Sequence, residues 1–217
     1  VLMPTLSLGV DLRESSLPCD ALHLHDMESG AEEIGTWLQW LEDRGFDDIV
    51  AVGHSAGSTR LVHFLDRNPE ASVRGAVLIS LLGFRFEDFN VDTARRVSGT
   101  DGARAVAPGS GALATEDEAI AEYRLSFCER YPAPASRFLS YYEWNCARIA
   151  RTLAESETPI HVILGGEDPR VGRDWIERLT AVGADVTLID GASHFFDGMH
   201  EFDLLEGVEG QLSQWSQ

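Results

Sequence analysis

The chain has 217 residues, 44% of them hydrophobic, which is enough for one domain with a packed core. That composition excludes a disordered segment, a collagen-like repeat and a small disulfide-stapled module. Thirty-six acidic against 17 basic side chains give a formal net charge of −19, so the surface repels DNA, RNA and anionic lipid.

Every basic side chain is Arg, which excludes Schiff-base chemistry, lysine-anchored pyridoxal phosphate and a Walker A loop. No apolar run approaches the roughly 18 residues that would span a bilayer. Val1-Leu2-Met3-Pro4 carries no charged n-region or cleavage site, so no signal peptide is expected. The first residue is not Met, which leaves an upstream segment open. Cys19, Cys128 and Cys146 form no Cys-x-x-Cys pair. Their odd count and wide spacing predict unbonded thiols and a reducing, cytoplasmic location.

Val1–Leu8 is apolar and reads as a strand, and Gly9–His25 as a loop. Met27, Ala31, Ile34, Leu38 and Leu41 recur at helical spacing, with Gly45 closing the helix. Ile49–Val52 is a short apolar strand, expected to be buried on both faces. It runs into Gly53-His54-Ser55-Ala56-Gly57, then a helix with Leu61, Phe64 and Leu65 on one face. Ala76–Ile79 is the next strand. From Gly83 to about Thr158 the strand rhythm stops. Thr115-Glu116-Asp117-Glu118 reads as a capping box opening a helix through Tyr131. Pro132 and Pro134 end it, and a further helix is expected over 147–154. Strand 160–164, a helix carrying Trp175 and Leu179, strand 186–189 and a terminal helix follow. This alternation predicts an α/β fold: a mostly parallel sheet flanked by helices, one domain over 1–217, with a helical insertion over about 84–158.

Gly53–Gly57 has the form Gly-x-Ser-x-Gly between a strand and a helix. The sharp turn demands small neighbours and exposes the Ser55 hydroxyl, while the Ala56 N–H points where an oxyanion would form. A serine nucleophile needs a base and an orienting acid. Asp168 follows strand 160–164, and His194 follows strand 186–189. All three fall at C-terminal strand ends, where open α/β sheets bind ligands. Asp168 is preferred to Glu167 and Asp190 because it sits deepest in the post-strand turn, before Pro169.

On these residues the chain resembles an α/β-hydrolase of the serine esterase/lipase type, over nearly its whole length. The resemblance implies Ser55 as nucleophile, His194 as general base and acid, Asp168 as orienting carboxylate and Ala56 N–H as an oxyanion donor. It implies a cap formed by the insertion, and neither cofactor nor metal. The chain departs from the pattern in one respect. No His-Gly loop precedes Ser55 to give the second oxyanion N–H, and the first strands of the family sheet are missing. Either Val1–Leu8 pairs directly with Ile49–Val52, another chain fills the gap, or the natural protein is longer. Thr5, Leu6 and Ser7 are candidates for a substitute N–H.

The expected activity is cleavage of a small or medium, uncharged carboxylic ester through an acyl-enzyme. Thioesterase or amidase action would use the same residues. The rival from another class is a catalytically weak or inactive binding protein, motivated by the missing oxyanion loop. A homodimer paired through the shortened sheet is a third expectation. Cys19, Asp20, His23, His25 and Asp26 are metal-ligand types, but without a second cluster a structural loop is preferred. His54 is read as a packed elbow residue. Phe84, Phe86, Phe89, Tyr141, Tyr142 and Trp144 either line an acyl pocket or pack the cap.

Overall fold

The computed structural model describes residues 1–84 and 120–216. The chain forms two compact units: Ile34–Gly83 with Cys146–Gln217, and Val1–Glu33 with Phe84–Asn145. Phe86, Phe89 and the Thr115–Glu118 capping box lie outside the described residues.

The first unit is built on a parallel sheet. Its strands are β1 (Ile49–His54), β2 (Val73–Ile79), β5 (Ile160–Gly165) and β6 (Asp185–Ile189), in the order β1-β2-β5-β6. The hairpin strands β3 and β4 belong to the other unit. His54 pairs with Ile79, Ile79 with Ile163, and Gly165 with Ile189. The C-terminal ends therefore line up along one edge, and the residues just past them share that edge.

Alternation divides the sheet's side chains between two faces. Val77, Ile79, Ile163 and Ile189 form one core with Phe196, capped by Leu204, Val208 and Trp215 of α6 (His200–Trp215). Ala76, Leu78, Val162 and Leu164, on the opposite face, are fully buried as well. Burial of each such Leu, Ile or Val is worth about 1.5–3 kcal/mol. Gly75 is required here, because a Cβ would lie 2.6 Å from the Trp215 ring.

Helix α2 (Ala56–Arg67) turns Leu61, Phe64 and Leu65 inward. It ends at Asn68, whose N–H and side-chain amide both donate to the Phe64 carbonyl (3.0 and 2.8 Å). This unit also holds α4 (Cys146–Glu155), α5 (Arg173–Ala181) and, from Ile34 onward, α1 (Met27–Glu42). One expectation fails: β1 is not buried on both faces, and Val52 is 52% exposed. Among the described residues β1 pairs only with β2, so it is an edge strand and loses cover on its outer side.

The second unit holds the antiparallel hairpin β3 (Ile120–Leu125) and β4 (Cys128–Pro134), followed by α3 (Ala135–Tyr142). The helix expected through Tyr131 is thus a hairpin instead. Tyr123 and Leu125 are buried while Glu122 and Arg124 are exposed, a period of two that a helix cannot use. Ser126 turns the chain at φ 53°. Tyr123 stacks on Phe138 with ring centroids 4.3 Å apart. Phe84, Tyr141 and Trp144 are also buried, whereas Tyr142 is half-buried.

Two further expectations are corrected in this unit. Val1–Leu8 is not a strand: Val1, Leu2 and Met3 are exposed, and Leu8 sits at φ 53°. Pro4 removes a ladder donor. Ser7 is held instead by Glu33, whose carboxylate accepts from the Ser7 N–H (2.8 and 2.9 Å) and hydroxyl (3.0 Å). Direct pairing of Val1–Leu8 with Ile49–Val52 therefore falls away. Cys19 and Cys128 are also not unbonded thiols but form a disulfide with Cα atoms 5.3 Å apart. Sequence separation says nothing about proximity, and these two meet only because the hairpin returns to the Cys19 loop. The disulfide removes two of the three thiols on which the expectation of a reducing location rests.

Helix α1 (Met27–Glu42) begins at Asp26, which caps it reciprocally with Ser29: the Ser29 N–H donates to Asp26 Oδ1 (2.7 Å), and the Asp26 N–H to Ser29 Oγ (3.1 Å). Asp26 also pairs with Arg137. His23 and His25, singled out as metal-ligand types, lie in a buried hydrogen-bonded chain. His23 Nε2 faces the Cys19 carbonyl (3.3 Å), so that nitrogen carries the proton and donates. Nδ1 of His23 then accepts from His25 Nε2 (3.2 Å), and His25 Nδ1 accepts from the Tyr141 hydroxyl. Burial holds His23 below the ordinary imidazole pKa, in keeping with this neutral chain.

Candidate active site

The turn between β1 and α2 is tight. Ser55 stands at φ 56°, ψ −122°, a backbone conformation that costs a residue with a Cβ about 1–3 kcal/mol and persists only where the surroundings enforce it. The end of β2 supplies that enforcement: the Ile79 carbonyl accepts from the Ser55 N–H (2.9 Å) and from the Ser58 hydroxyl (2.8 Å). Gly53 is dictated by space, since a Cβ would lie 2.8 Å from the Ser58 backbone. Gly57 is not: a Cβ there meets nothing within 4 Å. The expectation of small residues on both sides of Ser55 therefore holds on steric grounds for one side only. Gly53→Ala is expected to destabilise the protein by about 1–3 kcal/mol, the usual cost of overpacking. Gly57→Ala should be near neutral, and paired urea melts compare the two.

Asp168 lies in the turn after β5 and is 3% exposed. Its Oδ1 accepts from the Arg170 N–H (2.9 Å), and its Oδ2 accepts from His194 Nδ1 (2.6 Å). Glu167 and Asp190, the rivals, are exposed. His194 follows β6 and is 4% exposed. Its loop is pressed against the end of β5, where a Cβ on Gly165 would lie 2.5 Å from the Ala192 carbonyl oxygen. The Glu167 N–H donates to that same carbonyl (2.9 Å).

Ser55, His194 and Asp168 are thus brought into one line. A carboxylate only accepts, so the proton of His194 sits on Nδ1 and Nε2 presents a lone pair. Ser55 Oγ is 2.9 Å from Nε2 and donates to it. Burial lowers the His194 pKa below the ordinary 6.5; the Asp168 hydrogen bond and charge oppose this, while the charges of Arg170 and His54 add to it. The imidazole is therefore neutral near pH 7 and able to take the serine proton.

Ala56 opens α2, and the first N–H groups of a helix have no acceptor within it. That N–H and the N-terminal end of the helix dipole favour negative charge beside Ser55. Of the three candidates for a second donor, Ser7 is already committed to Glu33. His54 Nε2 donates to the His194 backbone carbonyl (3.0 Å), so that nitrogen is directed at a carbonyl and not at Ser55.

Sequence reasoning missed three neighbours of this line. Arg170 holds the acid through its N–H. Phe195 packs edge-on against the His194 ring at 5.0 Å and is 59% exposed. Ser80 donates to the His194 carbonyl (2.9 Å). Arg170 lies two residues past Asp168, and Ser80 is a lone polar residue after an apolar strand. Each carried a local signal that was not weighed.

Fold and site together define a parallel α/β protein with a Gly-x-Ser-x-Gly elbow serving a buried His–Asp pair. Residues 2–203 match the Alpha/beta hydrolase family, and the chain belongs to it. The structure is similar to a monoacylglycerol lipase of Paleococcus ferrophilus, with TM-score 0.57 and 13% identity over 89% of this chain and 75% of that one. It is also similar to Est1E from Butyrivibrio proteoclasticus, with TM-score 0.58 and 13% identity over 89% and 72% of the two chains. A third similar structure is an E-2-(acetamidomethylene)succinate hydrolase, with TM-score 0.54 and 15% identity over 87% and 74%. At these identities the likeness is one of fold. No curated protein matches the chain. Among the described residues no helix is long and apolar enough to cross a membrane.

Proposed function

We propose that the protein is a serine hydrolase that cleaves carboxylic esters through an acyl-enzyme on Ser55. The observation that carries this reading is the continuous Ser55–His194–Asp168 line, 2.9 and 2.6 Å, assembled at a strained elbow. In the first half-reaction Ser55 Oγ attacks the ester carbonyl and His194 Nε2 takes its proton. The oxyanion faces the Ala56 N–H. The imidazolium then protonates the leaving alcohol, and an acyl-enzyme remains. Water, deprotonated by the same nitrogen, releases the acid and restores Ser55. Asp168 keeps the lone pair of His194 on the serine side and stabilises the imidazolium.

An ester is favoured because a monoacylglycerol lipase shares the fold. An uncharged small or medium substrate is favoured because a chain of net charge −19 repels anions. Thioester or amide cleavage would use the same groups, and a substrate panel separates them. The test is intact mass after a fluorophosphonate probe, on wild type and Ser55→Ala, alongside hydrolysis of nitrophenyl esters.

The pH dependence follows from His194. Its neutral form is the base, so kcat/KM falls as the pH drops through its folded pKa. Burial lowers that value, so the acid limb is expected to have its midpoint below 6.5. A midpoint above 6.5 in a kcat/KM profile would contradict the role given to burial.

A further inference from the structure

We propose that His54 and Ser80 are positioning residues that hold the base through its own backbone carbonyl. The inference rests on the hydrolase reading above and extends it to two residues outside the Ser55–His194–Asp168 line. The His194 carbonyl oxygen accepts from two side chains, His54 Nε2–H (3.0 Å) and the Ser80 hydroxyl (2.9 Å). A carbonyl oxygen has two lone pairs, and this one has a donor for each.

The donors reach it from adjacent strands. His54 is the last residue of β1 and pairs with Ile79, the last of β2; Ser80 is the next residue along. The carbonyl therefore sits across the C-terminal ends of both strands. Ser80 is fully buried and adopts φ 48°, the left-handed region. Its N–H still donates sideways to Ile163 of β5 (2.8 Å) while its hydroxyl turns to His194. An apolar residue there would leave the carbonyl short of a donor.

Holding the carbonyl fixes the root of the imidazole side chain, and Asp168 fixes the ring at Nδ1. The base is thus held at both ends. His54 is also the residue next to Ser55, so the strand that delivers the nucleophile anchors the base as well. The Ser55–His194 separation is then set by a rigid link and not by the serine hydrogen bond alone. The two rings lie 5.2 Å apart at 57°, which lets His54 reach past the imidazole to the backbone behind it.

The test uses His54→Phe and Ser80→Ala, singly and together, with His54→Gln as the variant that keeps a donor. Each donor loss is expected to lower kcat on a nitrophenyl ester about 10- to 100-fold with KM within about twofold, since a displacement of about 1 Å can cost about 100-fold. His54→Gln should recover most of the loss seen in His54→Phe. The double variant should fall short of the product of the singles, because both act on one carbonyl. The low-field proton resonance of His194 Nδ1–H, read without substrate, should shift or broaden in the donor-loss variants.

Wild-type kcat and an unchanged resonance in both donor-loss variants would overturn the proposal. So would equal losses in His54→Phe and His54→Gln. Should Ser80→Ala fail to fold, His54→Phe, at an exposed position, carries the test alone. Failure of the hydrolase reading shows differently, as wild type that takes no fluorophosphonate.

Discussion

Ser55→Ala is expected to fold as wild type does and to lose ester turnover by about a million-fold, the scale seen when the nucleophile of a coupled Ser–His–Asp unit is removed. The argument is geometric. Alanine keeps the Cβ, so the strain at φ 56° is unchanged and the Ile79 carbonyl still accepts from the residue-55 N–H. What disappears is one oxygen, the group that bonds to the substrate in the proposed mechanism. His194 keeps its bond to Asp168, and the Ala56 N–H stays in place. Any residual rate therefore measures binding and oxyanion stabilisation alone. Intact mass supplies a second readout: wild type should gain one fluorophosphonate adduct and Ser55→Ala none. An adduct that survives on Ser55→Ala would place the reactive group elsewhere and sink the proposed mechanism.

Asp168→Asn is expected to lower kcat by about ten-thousand-fold with little change in KM or stability, the effect of trapping the wrong imidazole tautomer. The hydrogen bonds around Asp168 dictate how the new amide must lie. Its Oδ1 position faces the Arg170 N–H, a donor, so an asparagine keeps its oxygen there. Its NH₂ must then point at His194 Nδ1. Two donors cannot face each other, so Nδ1 gives up its proton and Nε2 takes one. The lone pair that would receive the Ser55 proton is lost, although no heavy atom has moved. Glu167→Gln and Asp190→Asn, at exposed positions, should leave kcat unchanged. Kinetics on these three variants decide among the carboxylates that the sequence offered.

The elbow and its partners were legible because their signals are local. Gly53 is forced by the approach of the Ser58 backbone, and Asp168 and His194 each follow a short apolar strand. Strand and helix identities along β1, α2, β2, β5 and α6 follow from apolar runs and their period, which neighbouring residues alone decide. The misreadings share one cause. Val1–Leu8 has a strand's composition, but a strand exists only with a partner. The Thr115–Glu118 capping box predicts a helix running on through Tyr131, whereas Tyr123 and Leu125 alternate with exposed neighbours and pair as a hairpin. Cys19 and Cys128 stand far apart in sequence, and nothing short of the folded hairpin brings them together. The burial of β1 was read from its apolar run, but its place at the sheet edge decided its exposure.

By itself the sequence determined the class of fold and the family, and it supplied the candidate residues for the proposed serine-hydrolase chemistry. These depend on periodicity, turn stereochemistry and the reactivity of side-chain types, all carried by short stretches of chain. Only the tertiary structure decided which carboxylate meets His194, which tautomer the imidazole holds, and that His54 and Ser80 share its carbonyl. Those choices depend on where separate strands end relative to one another. Parallel strands are joined by crossovers, so the register that aligns His54, Ile79, Ile163 and Thr187 is set by packing across the sheet and not by any one segment.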